Sequence, residues 1–168
     1  MSKAAVIYWS QTGNTEAMAN FVADGARAAG AEVDVIAADG SEVDVSSYDG
    51  VAFGCPAMGA EELEDAEFAP TWEAAKGALA GKKVALFGSY GWGDGEWMRT
   101  WEADAKDAGL TLACDCVIAN EAPDDEAEAA CKALGAALVY KAKRKRRAAN
   151  SSTPLFMHLS VCPISSSA

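Results

Sequence analysis

The sequence predicts a doubly wound α/β domain, a five-stranded parallel sheet with helices on both faces. Two observations carry this expectation. Apolar runs of strand length alternate with stretches of helical period five times before residue 140. Parallel neighbours in such an alternation need a helix to return the chain, and right-handed crossovers then cover both faces of the sheet. Composition agrees, because 51% of the 168 residues are hydrophobic and 23% charged, which suits one packed core and excludes wholesale disorder.

Lys3 to Trp9 reads as a strand buried on both faces. From Glu16, the residues Met18, Phe21, Val22, Ala26 and Ala29 form a helical stripe that Gly30 ends. Glu32 to Ile36 alternates as a short strand, and after a polar loop Gly50 to Cys55 is the third. Phe68, Trp72, Ala75 and Leu79 mark a second helix, and Lys83 to Gly88 a fourth strand. Trp97, Met98, Trp101, Ala105 and Ala108 share one face of a helix over Glu96 to Ala108. Leu110 to Ile118 is the expected fifth strand, on which Cys114 and Cys116 point the same way. A last helix runs from Asp125 to about Tyr140 on Ala127, Ala130, Cys131, Leu134 and Leu138, with Asp125 and Glu128 at capping-box spacing.

The formal charge of −11 conceals an asymmetry. All 25 acidic residues lie at or before Glu128, so residues 1–140, with 8 basic residues, carry −17, whereas six Lys and Arg fall within Lys141 to Arg147. An acidic body repels nucleic acid and anionic membrane and is steered toward basic protein surfaces. Residues 1–140 are therefore read as the folded domain, and 141–168 as a basic, Ser-rich, disordered tail. No apolar run is long enough to span a membrane, and the N-terminal run is a poor export signal. Five cysteines without C-x-x-C suggest neither a disulfide framework nor a zinc site, so a cytoplasmic location is expected.

In a sheet of this kind ligands bind beyond the carboxyl ends of the strands. The loop after the first strand, Ser10-Gln11-Thr12-Gly13-Asn14-Thr15, combines three hydroxyls, a glycine and a helix N-terminus, a neutral nest suited to a terminal phosphate. It lacks the Gly-Lys-Ser/Thr of a Walker loop and is not G-x-G-x-x-G, so neither nucleotide hydrolysis nor a bridging pyrophosphate is implied. After the third strand comes Cys55-Pro56-Ala57-Met58-Gly59-Ala60-Glu61-Glu62, where Gly59 can reorient its peptide. After the fourth, Gly88-Ser89-Tyr90-Gly91-Trp92-Gly93-Asp94-Gly95 surrounds one indole with glycines. The three loops together specify a phosphate grip and a slot between Met58 and Trp92 for a flat conjugated ring.

On these three segments the sequence resembles the short-chain, FMN-binding flavodoxins of anaerobic bacteria, over roughly residues 3 to 140. The resemblance implies a flavodoxin-like three-layer sandwich with strand order 2-1-3-4-5. It implies that Ser10 to Thr15 hold the FMN phosphate and that Met58 and Trp92 sandwich the isoalloxazine, in a cofactor site that also includes Gln11, Pro56, Ala57, Ser89, Tyr90 and Asn120. It further implies that the Gly59 carbonyl accepts from flavin N5–H, that Glu61 accepts from N3–H and that the Gly91 backbone donates toward O2. Ala60 stands where the family often has an acidic or amide residue.

The function so implied is low-potential one-electron transfer with non-covalent FMN, cycling mainly between semiquinone and hydroquinone and substituting for ferredoxin. An electron carrier of this kind is not an enzyme of substrate turnover. Its implied clients are pyruvate oxidoreductase, hydrogenase and flavodoxin reductase, which carry basic docking surfaces, and the chain is expected to be a monomer. The alternative is an FMN-dependent NAD(P)H:quinone or nitro reductase of the same fold. A phosphoreceiver domain would need clustered carboxylates after the first strand, where Trp9-Ser10 stands instead. The sole histidine, His158, falls in the tail, so a catalytic triad has no support.

Overall fold

The computed structural model describes residues 2–58, 62–91 and 93–139. The strands are β1 (Lys3–Tyr8), β2 (Glu32–Ala37), β3 (Gly50–Gly54), β4 (Lys83–Tyr90), β5 (Thr111–Leu112) and β6 (Val117–Asn120). The helices are α1 (Asn14–Ala28), α2 (Phe68–Lys76) and α3 (Glu96–Asp107), with α4 over residues 125–139. All strand pairs are parallel, in the order β2-β1-β3-β4-β5, with β6 also on β4. The chain leaves β1 toward β2 on one side and resumes at β3 on the other, which opens a crevice at the carboxyl ends of β1 and β3.

Alternate residues of each strand feed two cores, as period two demands. Ile7, Val51, Phe53 and Leu86 pack under α2 and α3 with Phe68, Trp72, Trp97 and Trp101. Val6, Ala52, Ala85 and Phe87 pack under α1 and α4 with Met18, Val22, Cys131, Leu134 and Leu138. The helices bury most of the stripe their sequence marks, although α2 ends at Lys76 with Leu79 buried in the turn beyond it, and Ala108, expected on the buried face of α3, caps that helix and is exposed. Where α1 meets α4 the backbones touch: a Cβ on Gly25 would lie 2.0 Å from the Lys132 carbonyl oxygen, and one on Gly135 would lie 2.0 Å from that of Val22.

The fifth strand departs from the sequence reading. It is two pieces rather than one: Val84 pairs with Leu112 and Phe87 with Val117, so three steps along β4 face five along the edge. Residues 113–116 bow out between the pieces, and the exposed Asp115 keeps its charge in water there. Cys114 and Cys116 therefore lie in the interruption and not on a strand. Both are free, and burial pushes the Cys116 thiol up to about 12.

The last helix also starts differently. Its capping side chain is Asp124, whose carboxylate accepts the Ala127 N–H at 2.8 Å, and the third position after that cap holds Ala127 rather than an acid. Asp125 and Glu128 thus form no capping box. The tail at 141–168, including Cys162 and His158, lies outside the described residues. Among the described residues no helix is long and apolar enough to cross a membrane.

Candidate functional site

Three loops converge at the crevice. The first folds on itself: the Ser10 hydroxyl accepts the Gly13 N–H at 3.1 Å, and Gly13, at φ 95°, turns the chain into α1. A side chain at that φ would be strained, which explains the glycine. Ala17 donates the first helical bond, to Gly13 O at 3.0 Å. The N–H groups of residues 14–16 accordingly have no carbonyl one turn back, and they leave the positive end of α1 directed at the cleft.

Thr15 is the one loop hydroxyl withdrawn from solvent, at 1% exposure, and its oxygen lies 3.0 Å from the Ser89 hydroxyl of β4. The second loop extends the ladder beyond β3, with Cys55 N–H donating to Phe87 O at 3.2 Å and Ala57 N–H to Ser89 O at 3.0 Å. Met58 and Glu62 then pair across an isolated antiparallel bridge. In the third loop Tyr90 leans on the buried Trp97, ring centroids 5.6 Å apart. Gly95 sits at φ 92° at the head of α3, and Arg99 pairs with Asp94 at 3.0 Å.

Ser10, Gln11, Thr12, Asn14, Thr15, Pro56, Ala57, Met58, Ser89, Tyr90 and Gly91 line one cleft of about 220 Å³, joined by Glu121. Gly13, between Thr12 and Asn14, is not among the lining residues. Asn120 is placed differently: it lines a neighbouring cavity of about 300 Å³ between β6 and the start of α4. Gly59, Ala60, Glu61 and Trp92 lie outside the described residues.

Glu121 is the lining residue that the sequence reading missed. It follows β6 directly, at φ 58°, and its N–H donates to Tyr90 O at 2.7 Å. Only its place after the last strand could have drawn attention to it, because a single acid there forms no pattern.

The cleft's first loop is neutral, and Glu121 is the one charged residue among the described lining. Hydroxyls, amide side chains and backbone N–H groups line its first loop, and no Lys or Arg is among the lining residues. Such donors can bind a phosphate, since hydrogen bonds to a charged group contribute about 1.5–3 kcal/mol each. The other walls, Pro56, Ala57, Met58 and Tyr90, suit a flat apolar body. The donor set therefore fits a mononucleotide with a conjugated ring. Among the described residues no group of His, Cys, Asp and Glu is arranged to hold a metal ion.

Comparison with known proteins gives the same picture. The family model described as Flavodoxin matches residues 6–134. Flavodoxin of Megasphaera elsdenii is 49% identical over 133 residues, 79% of this chain and 95% of that protein. Flavodoxin of Clostridium beijerinckii is 44% identical over 131 residues, 77% and 94% of the two. The solution structure of two-electron reduced Megasphaera elsdenii flavodoxin superposes with a TM-score of 0.71, covering 80% of this chain and 97% of the other at 47% identity. Similarity to NAD(P)H dehydrogenase (quinone) of Nitrobacter winogradskyi reaches 66% identity, but over 35 residues and 21% of this chain.

Proposed function

The chain belongs to the flavodoxin family, and from that premise we propose that it is a cytoplasmic, low-potential electron carrier that holds FMN non-covalently and serves ferredoxin-type clients. When bound, FMN would take up and give back single electrons, and the chain's own residues would bind and tune it.

Ser10, Thr12, Thr15 and the N–H groups at the start of α1 would hold the phosphate, with Gln11, Gly13 and Asn14 completing the loop. Pro56, Ala57, Met58, Ser89, Tyr90 and Trp92 would enclose the ring. The Gly59 carbonyl would accept a hydrogen bond from N5–H, Glu61 would accept one from N3–H, and the Gly91 N–H would donate toward O2. Ala60 and Asn120 complete the assigned set, Asn120 as an outer contact. The observation that supports this reading best is the convergence of three separate loops on one cleft without a cation. An anionic ring close to an uncompensated phosphate and a strongly acidic domain is raised in energy, which favours a low second potential.

The negative charge of residues 1–140 suits docking on the basic surfaces of pyruvate oxidoreductase, hydrogenase or flavodoxin reductase, by a carrier that works as a monomer. Electron carriage, rather than turnover of a substrate, is the activity proposed. Rapid steady-state NAD(P)H oxidation with a quinone by the isolated protein would count for the reductase alternative instead. The direct test is titration of the apoprotein with FMN and with riboflavin. FMN is expected to bind one to one with its fluorescence quenched, and riboflavin at least tenfold more weakly. Equal affinities would remove the phosphate loop from the account.

A further inference from the structure

The second loop has two stems, and they are held differently. Its N-terminal stem, Cys55 to Met58, continues the sheet ladder on β4. Its C-terminal stem meets Met58 through the bridge at Glu62, with N···O distances of 2.9 and 3.4 Å. Two residues later Glu64 is 8% exposed, unlike the solvated acids around it. Its carboxylate accepts three backbone N–H groups, that of Ala66 on Oε1 and those of Glu67 and Phe68 on Oε2, each at 2.8 Å. Its carbonyl accepts the Ala69 N–H at 2.9 Å, and its own N–H donates to the Cys55 Sγ at 3.4 Å. The Cys55 carbonyl in turn accepts the buried Trp97 Nε1–H at 3.1 Å. One residue thus joins the head of α2, through its side chain, to Cys55 at the end of β3, through its backbone N–H.

We propose that Glu64 is a positioning residue for electron transfer: by capping α2 with its carboxylate and bonding Cys55 with its N–H, it fixes the stem and holds Met58 in register with the cofactor. The inference rests on the reading above, in which that part of the cleft faces the flavin ring. Glu64 is not among the residues that line the cleft, so it acts through the stem. A carboxylate has acceptor sites for all three N–H groups, whereas an amide turns its own N–H₂ toward at least one of them.

Glu64→Gln separates this role from electrostatics by sign. Loss of a negative charge alone would raise the second midpoint potential, which forms the anionic ring, and would not lower the first, in which a proton accompanies the electron. Loss of positioning weakens the acceptor that meets the one-electron state, so the first potential should fall. The expected change is about tenfold in relative affinity, 59 mV for one electron.

The measurement is anaerobic spectroelectrochemistry of FMN-loaded wild type, Glu64→Gln and Glu62→Gln, together with amide hydrogen exchange of the apoproteins. Faster exchange at residues 66–68 with a lowered first potential in Glu64→Gln, and neither change in Glu62→Gln, is the expected result. An unchanged or raised first potential in Glu64→Gln, with FMN still bound, overturns the inference and leaves the flavin reading intact. Failure of the wild type to bind FMN defeats the reading itself. Should Glu64→Gln not fold, Glu64→Asp keeps the charge but draws it back by one methylene. It should lower the first potential by less, and no change there would also overturn the inference.

Discussion

The side-chain oxygens of Thr15 and Ser89 lie 3.0 Å apart in the floor of the cleft, at 1% and 5% exposure. One belongs to the first turn of α1 and the other to the last residues of β4, so a single buried hydrogen bond joins the first loop to the third. Removing one partner leaves the other buried and unsatisfied. Thr15→Val should therefore destabilise the protein by about 1–3 kcal/mol in urea unfolding and weaken FMN binding. A variant as stable as the wild type would show that the contact contributes nothing.

Glycines in this fold answer to two different demands, and substitution should separate them. Gly13 has a φ of 95° but no atom within 4 Å of the place a Cβ would occupy, so Gly13→Ala should lose only the conformational term, about 1 kcal/mol. Gly25 has ordinary φ, but a Cβ there would lie 2.0 Å from the Lys132 carbonyl oxygen, so Gly25→Ala must part α1 from α4 and should lose about 3 kcal/mol or more. Chemical denaturation of the two variants checks the order, and equal losses would contradict it.

The fold is read from a periodicity that its alternating layers impose, and the strand and helix faces follow it closely. What the sequence hides is what period alone does not carry. The apolar character of residues 110–118 is the same whether the edge strand is whole or split, and only the register against β4 reveals two residues too many. The α4 cap moves by one residue because Asp124 and Asp125 are equivalent as letters. The loops are legible because phosphate and flat rings require hydroxyls and glycines in short runs, whereas Glu121 enters the cleft through a backbone turn that no run announces. Gly59, Ala60, Glu61 and Trp92 lie outside the described residues, so their roles rest on the resemblance alone.

Glu64 also predicts a pH dependence. Burial raises its pKa, but the amides of Phe68, Glu67 and Ala66 lower it by more, so the net shift is downward from the ordinary 4.5. A group depressed in the folded state adds stability that is complete above its unfolded pKa and disappears as pH falls through the folded one. Asp104, bonded to Trp72 Nε1 and Lys76, is shifted down in the same way despite the opposing effect of burial. Stability should thus decline below about pH 4.5, and less steeply in Glu64→Gln. Parallel acid-unfolding curves for the two proteins would refute the assignment.

Acidic residues around the cleft should differ in their influence on the second potential. Asp94 is paired with Arg99 at 3.0 Å, whereas Glu121 lines the cleft itself. Glu121→Gln should raise the second midpoint potential by roughly 10–20 mV, as expected of a few tenths of a kcal/mol across an exposed site, and Asp94→Asn by less. The reverse order, measured at low ionic strength, would mean that proximity to the cleft does not govern the effect.

A cleft without cations that holds FMN for one-electron exchange is tested most directly by an anaerobic redox titration followed by visible absorption. Two well-separated one-electron steps are expected, the second at strongly negative potential. A single two-electron step would contradict this reading of the site.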